Sequence, residues 1–203
     1  MKKNDFPFFN NFYKKRTSPK WGFNLFIAIV FSMISAVFLS QIEPRTSSIN
    51  SVEGISKDTM EMLIRLFVAI FGGFSSIISV LLIFILSLIV TKIFKSNPRT
   101  KSLFSGSILL VLIINIITLI ITMIQFGFSL SPEKYNILSL NIFNPGNEIL
   151  GSFDLKLVIQ SYLFTLLLHC SGKLSMKKSI ISSIVLFVIL LFINLIGASI
   201  WTV

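Results

Sequence analysis

The 203 residues are 54% hydrophobic and 13% charged, with a formal net charge of +10 and a mean hydropathy of +0.87. So apolar and charge-poor a composition excludes an ordinary water-soluble domain and points to a bilayer, whose ~30 Å hydrocarbon layer takes about 20 helical residues to cross. The basic excess lies beside apolar segments, so the counterions it implies are anionic lipid headgroups and not nucleic acid.

In chain order, residues 1–20 form a cytoplasmic tail in which Lys2, Lys3, Lys14, Lys15, Arg16 and Lys20 are interleaved with Phe6, Phe8, Phe9, Phe12 and Tyr13. Beside a membrane this pattern reads as an interfacial segment, with Lys14, Lys15, Arg16 and Lys20 at the lipid surface, each cation contributing about 1 kcal/mol near an anionic leaflet. A docking segment for a cytoplasmic partner has the same composition. Residues 21–203 read as an all-α transmembrane domain of five helices. Span one, about 21–42, is uncharged throughout. It is longer than a signal-peptide core and has no small-x-small cleavage site, so it is expected to stay in the protein. Glu43, Pro44 and Arg45 close it, and residues 46–56 read as a loop.

Asp58 followed by Glu61 resembles a helix start and leads into span two, about 64–90. A basic turn with Lys92, Lys95, Arg99 and Lys101 precedes span three, about 106–128. From Ser129 to Phe153 the pattern is broken by Pro132 and by Asn144-Pro145-Gly146-Asn147, and predicts an interfacial segment on the outer surface. Span four, about 156–172, has only 16 uncharged residues between Lys156 and Lys173, about 24 Å of helix. It crosses if those two lysines extend their amines to opposite interfaces. Span five, about 179–201, is uncharged, with Trp201 as an interfacial anchor.

Of the 18 basic residues, thirteen fall in the tail, the second-to-third turn and the fourth-to-fifth turn (Lys173, Lys177, Lys178), whereas seven of the eight acidic residues fall on the other side. Because Lys and Arg bias loops to the cytoplasm, the N-terminus is expected inside and the C-terminus outside. A four-span chain would put Lys173, Lys177 and Lys178 outside, against that bias.

Polar residues inside a bilayer must find partners on neighbouring helices, so their spacing marks candidate buried faces. Ser107, Asn115, Thr118, Thr122 and Gln125 form one stripe along span three. Span two offers Gly72 and Ser76, span four Ser161, Thr165 and His169 at four-residue steps, and span five Asn194 and Gly197. These faces suit either helix packing, the reading favoured here, or a polar pathway. No Asp, Glu, Lys or Arg lies near a span centre, where ion-coupled transport and intramembrane catalysis normally need one. His169 and Cys170 are adjacent and project about 100° apart, a poor base and nucleophile pair. The lone cysteine excludes an internal disulfide, and no catalytic, metal or phosphate-loop motif occurs. The chain is therefore expected to be non-enzymatic and without cofactor.

The first span WGFNLFIAIV, the glycine-containing FVAIFGGFSS, the basic turn TKIFKSNPRT, the outer NILSLNIFNP, the entry FDLKLVIQSYLF and the hairpin LHCSGKLSMKKS together resemble the Yip1-domain membrane proteins. The resemblance covers roughly Lys20 to Trp201 and lies in layout. It implies five helices behind a cytoplasmic tail. The tail motif by which eukaryotic members meet small GTPases has no counterpart in residues 1–20, and the Ile, Lys, Asn and Phe usage is similar to that of low-GC bacteria. Bacterial members imply a multi-pass plasma-membrane accessory that binds other membrane proteins, either as partner of an ABC exporter or as a factor in immunity to a bacteriocin-like toxic peptide. A small-solute or lipid transporter using the polar face of span three is the alternative.

Overall fold

The computed structural model describes residues 6–42, 57–132 and 134–201, with the side chains of 57, 200 and 201 left aside. The residues expected to close span one, the loop 46–56, Lys2, Lys3, Glu133 and the Trp201 ring lie outside that description.

Among the described residues the regular structure is helical: α1 (Phe9–Thr17), α2 (Gly22–Ile42), α3 (Lys57–Ile93), α4 (Thr100–Gly127), a 3₁₀ turn at Leu140–Phe143, α5 (Glu148–Gly151), α6 (Leu155–Leu166) running into a π turn at Leu167–Ser171, and α7 (Met176–Trp201). Four of these, α2, α3, α4 and α7, are long and apolar enough to cross a membrane. The fifth apolar segment, Leu155–Ser171, is short of that length, at about 25 Å for 17 residues.

α2 lies against both α3 and α4, and α6 pairs with α7. α4 joins the two groups through α6 and the π turn, and is the most enclosed of the four long helices. Its buried side from Ile108 to Ile113 meets Leu163, Phe164, Leu166, Leu167 and Leu168 in the main apolar cluster. Where α2 crosses α3, Gly72 sets the spacing. A Cβ there would stand 2.7 Å from Ala36 Cβ and 3.0 Å from the Ser32 carbonyl oxygen, and the Ser32 hydroxyl donates to the Gly72 carbonyl at 2.7 Å. Small residues let membrane helices approach this closely and exchange such bonds.

α3 runs 37 residues, about 55 Å, well beyond the hydrocarbon layer. Its first turns carry the Glu61–Arg65 ion pair one helical turn apart at 3.7 Å, so the helix extends past the apolar run as an ordinary amphipathic segment. The segment 134–154 is compact: Gln125 Nε2 donates to the Tyr135 carbonyl at 2.7 Å, Asn141 Nδ2 to the Asn147 carbonyl at 3.0 Å, and Asp154 caps α6 by accepting from the Lys156 amide at 2.7 Å.

Candidate functional site

Three basic segments far apart in sequence meet at one end of the bundle. The first is α1, which does not stand apart from the helices. Phe12 is completely buried in the main apolar cluster with Leu167 and Cys170. The Phe9 ring lies 6.0 Å from the His169 ring, and the Tyr162 hydroxyl donates to the Pro7 carbonyl at 2.8 Å. The cations occupy the other side: Lys14, Arg16 and Lys20 are exposed. Lys15 is half-buried and donates to the Lys20 carbonyl at 2.7 Å, and burial lowers its pKa below the ordinary lysine value. Phe9 and Phe12 thus pack the tail on protein, while Phe6 and Phe8 stay exposed.

The second and third segments are the α3–α4 turn and the α6–α7 hairpin, and they are bonded directly. The Ser96 hydroxyl donates to the Gly172 carbonyl at 2.7 Å, Lys173 Nζ to the Asn97 carbonyl at 3.4 Å, and Lys178 Nζ sits 5.3 Å above the Phe94 ring. The hairpin is shaped by the π turn and by Lys173 in the left-handed region at φ 58°. His169 Nδ1 lies 2.8 Å from the Leu174 carbonyl oxygen; a carbonyl only accepts, so this nitrogen carries the proton. His169 thus ties the π turn to the start of the hairpin. Close packing here depends on Gly106, where a Cβ would run into Leu167 Cδ1 and approach Ser171 Oγ to 3.0 Å.

The polar stripe of span three lies along α4. Asn115 Nδ2 donates to the Ala28 carbonyl of α2 at 2.9 Å and to Ser76 Oγ of α3 at 3.0 Å, clamping three helices at once. Ser107 donates back to the Leu103 carbonyl at 3.0 Å. Thr122 and Gln125 are buried, and Thr118 is partly exposed. On α6, Thr165 donates to the Ser161 carbonyl at 3.1 Å. Ser161 and Thr165 face Ser183 of α7 across a groove of about 380 Å³. Asn194, by contrast, is exposed on α7, away from the other polar candidates. Among the described residues no group of three His, Cys, Asp or Glu could hold a metal ion.

No family model, curated protein or solved structure matches the chain. The four long apolar helices identify a membrane protein, and the convergence of the basic segments is its most distinctive surface. Sequence reading missed the burial of Phe12 and the pairing of Ser96 with Gly172, because both depend on contacts between distant segments.

Proposed function

We propose that the chain is a five-span plasma-membrane protein of the bacterial, Yip1-like type, and that it works as a non-enzymatic accessory which binds other membrane proteins. The joining of the tail, the α3–α4 turn and the α6–α7 hairpin supports one cytoplasmic face, because the Lys/Arg bias acts on all three together. It also supports a crossing by α6 and its π turn, which run from the Leu138 carbonyl, bonded by the Leu155 amide at 2.8 Å, to Gly172 at the basic end. The N-terminus is then inside and the C-terminus outside.

The observation that carries the accessory role is Asn194. It is exposed on a helix whose neighbours Phe192, Ile193 and Ile196 are exposed apolar residues, and among the described residues α7 packs mainly against α6. Asn194 lies about 24 Å along the helix from Lys178, inside the ~30 Å layer. An amide in hydrocarbon is costly until it is hydrogen-bonded, and a helix from another membrane protein can supply the partner. The polar stripe of α4 is by contrast engaged within the chain through Asn115, which favours packing over a solute pathway.

Copurification from the native membrane in mild detergent, with mass spectrometry, tests this reading. A second membrane protein retained at stoichiometric level by the wild type and lost with Asn194→Leu is expected; exporter subunits and a peptide toxin would be told apart by their masses. Recovery of the chain alone would overturn the accessory role and return a transporter to the front.

A further inference from the structure

At the end of the bundle where α1 stops, α4 starts and the π turn closes, the chain forms a pocket of about 340 Å³ lined by Arg16, Thr17, Arg99, Ser102, Ser171 and Lys173. Among the described residues the lining holds three cations and no carboxylate. α4 directs its N-terminus here, and that terminus is not neutralised: Arg99 at the N-cap makes no side-chain capping bond, and the first turn has no acidic residue. A 28-residue helix therefore brings the positive end of its dipole to this space.

The second observation is independent of charge. Ser102 and Ser171 are 1% and 0% exposed, both line the pocket, and neither hydroxyl has a hydrogen-bond partner among the described residues. Buried hydroxyls are ordinarily paired, and two without a partner among the described residues, both on residues that line one pocket, call for an acceptor there. A cation would be repelled by Arg16, Arg99 and Lys173, and an apolar group would leave both hydroxyls unpaired. An oxyanion that accepts from several sides satisfies the hydroxyls and the guanidinium groups together, beside the positive end of the helix. Phosphate has the charge and the three acceptor oxygens for donors arriving from α1, α4 and the π turn.

We propose that this pocket binds a phosphate group. Ser171 ends the apolar segment Leu155–Ser171 and Ser102 precedes the buried stretch of α4, which puts the site at the level where apolar helices give way to charged turns. A phosphate on a lipid headgroup and a phosphate on a soluble molecule share this chemistry.

The test uses the purified full chain in phosphatidylcholine nanodiscs. Phosphatidylglycerol binding is read by native mass spectrometry, and inorganic phosphate binding by calorimetry. Arg99→Gln, and separately the double variant Ser102→Ala with Ser171→Ala, are expected to weaken binding about tenfold or more, the size expected for lost charge-assisted hydrogen bonds. Lys177→Gln with Lys178→Gln removes charge outside the pocket lining and is expected to change binding less than threefold. The serine variants remove hydroxyls that have no partner among the described residues, so they should fold normally and keep the test valid if Arg99→Gln does not. Loss confined to phosphatidylglycerol assigns the site to a lipid headgroup, and loss of inorganic phosphate binding as well assigns it to phosphate from either source. Equal effects of pocket and Lys177/Lys178 variants on both probes, or no binding of either probe by the wild type, would overturn the proposal.

Discussion

Two asparagines show how the same amide does different work in different places. Asn115 makes two bonds that join α2, α3 and α4, whereas Asn194 is exposed on α7. Interhelical hydrogen bonds in membranes contribute about 0.6 kcal/mol on average and up to about 2. Asn115→Leu is therefore expected to destabilise the bundle by about 1–2 kcal/mol, because it also leaves the 2%-exposed Ser76 without that partner. Asn194→Leu should leave stability unchanged within about 0.5 kcal/mol. Unfolding in detergent would check both, and equal effects would contradict this division of roles. The three- and four-residue steps put Asn115 on a polar stripe from sequence alone. That its partners are the Ala28 carbonyl and Ser76 depends on two helix crossings, which no local pattern encodes, and the same is true of the Gly72 and Ser32 contact.

Among the elements, α1 is the one whose contacts the sequence left most open. Aromatic residues interleaved with lysines describe a helix on lipid and a helix on protein equally well, since both need one apolar face. What separates the two is the cavity that receives Phe12 between α4 and the π turn. Truncating a buried phenylalanine costs about 3–5 kcal/mol in a core, more than a nine-residue helix can supply on its own. Phe12→Ala is accordingly expected to raise amide hydrogen exchange over residues 6–17 at least tenfold while α4 stays protected, as seen by exchange mass spectrometry; unchanged exchange in the tail would show that docking does not hold it. The long helices were more legible. α2 lies almost where the uncharged run from Trp21 to Ile42 puts it, and α3 starts at Lys57, beside the helix start read at Asp58 and Glu61 and ahead of the apolar span from about 64, while α4 starts at Thr100, ahead of the span from about 106. Hydropathy marks the part of a helix that contacts hydrocarbon, and both helices continue past it through charged or hydroxyl-bearing turns. The π turn at Leu167–Ser171 was not legible, because it follows from closing the hairpin over Gly106 and the α3–α4 turn.

At the scale of the whole molecule, the segments richest in Lys and Arg lie on one side of the helices. The tail, the α3–α4 turn and the α6–α7 hairpin lie together at one end, and Gln125, Tyr135 and the segment leading to α6 gather at the other. Neither the pocket between Arg16, Arg99 and Lys173 nor its two unpaired hydroxyls is visible in sequence, since each residue comes from a different segment. We propose that α6 with its π turn completes a crossing, so that all three basic segments face the cytoplasm. The most direct measurement is labelling of intact cells with a membrane-impermeant maleimide, using single cysteines placed by Asn97→Cys, Ser175→Cys or Asn144→Cys in a Cys170→Ala background. Asn97, Ser175 and Asn144 are all exposed in the structure, so reactivity reports the side of the membrane. The expected result is labelling of the Asn144→Cys variant from outside, with the Asn97→Cys and Ser175→Cys variants labelled only after permeabilisation. Labelling of the Ser175→Cys variant from outside together with Asn144→Cys would contradict the five-span arrangement.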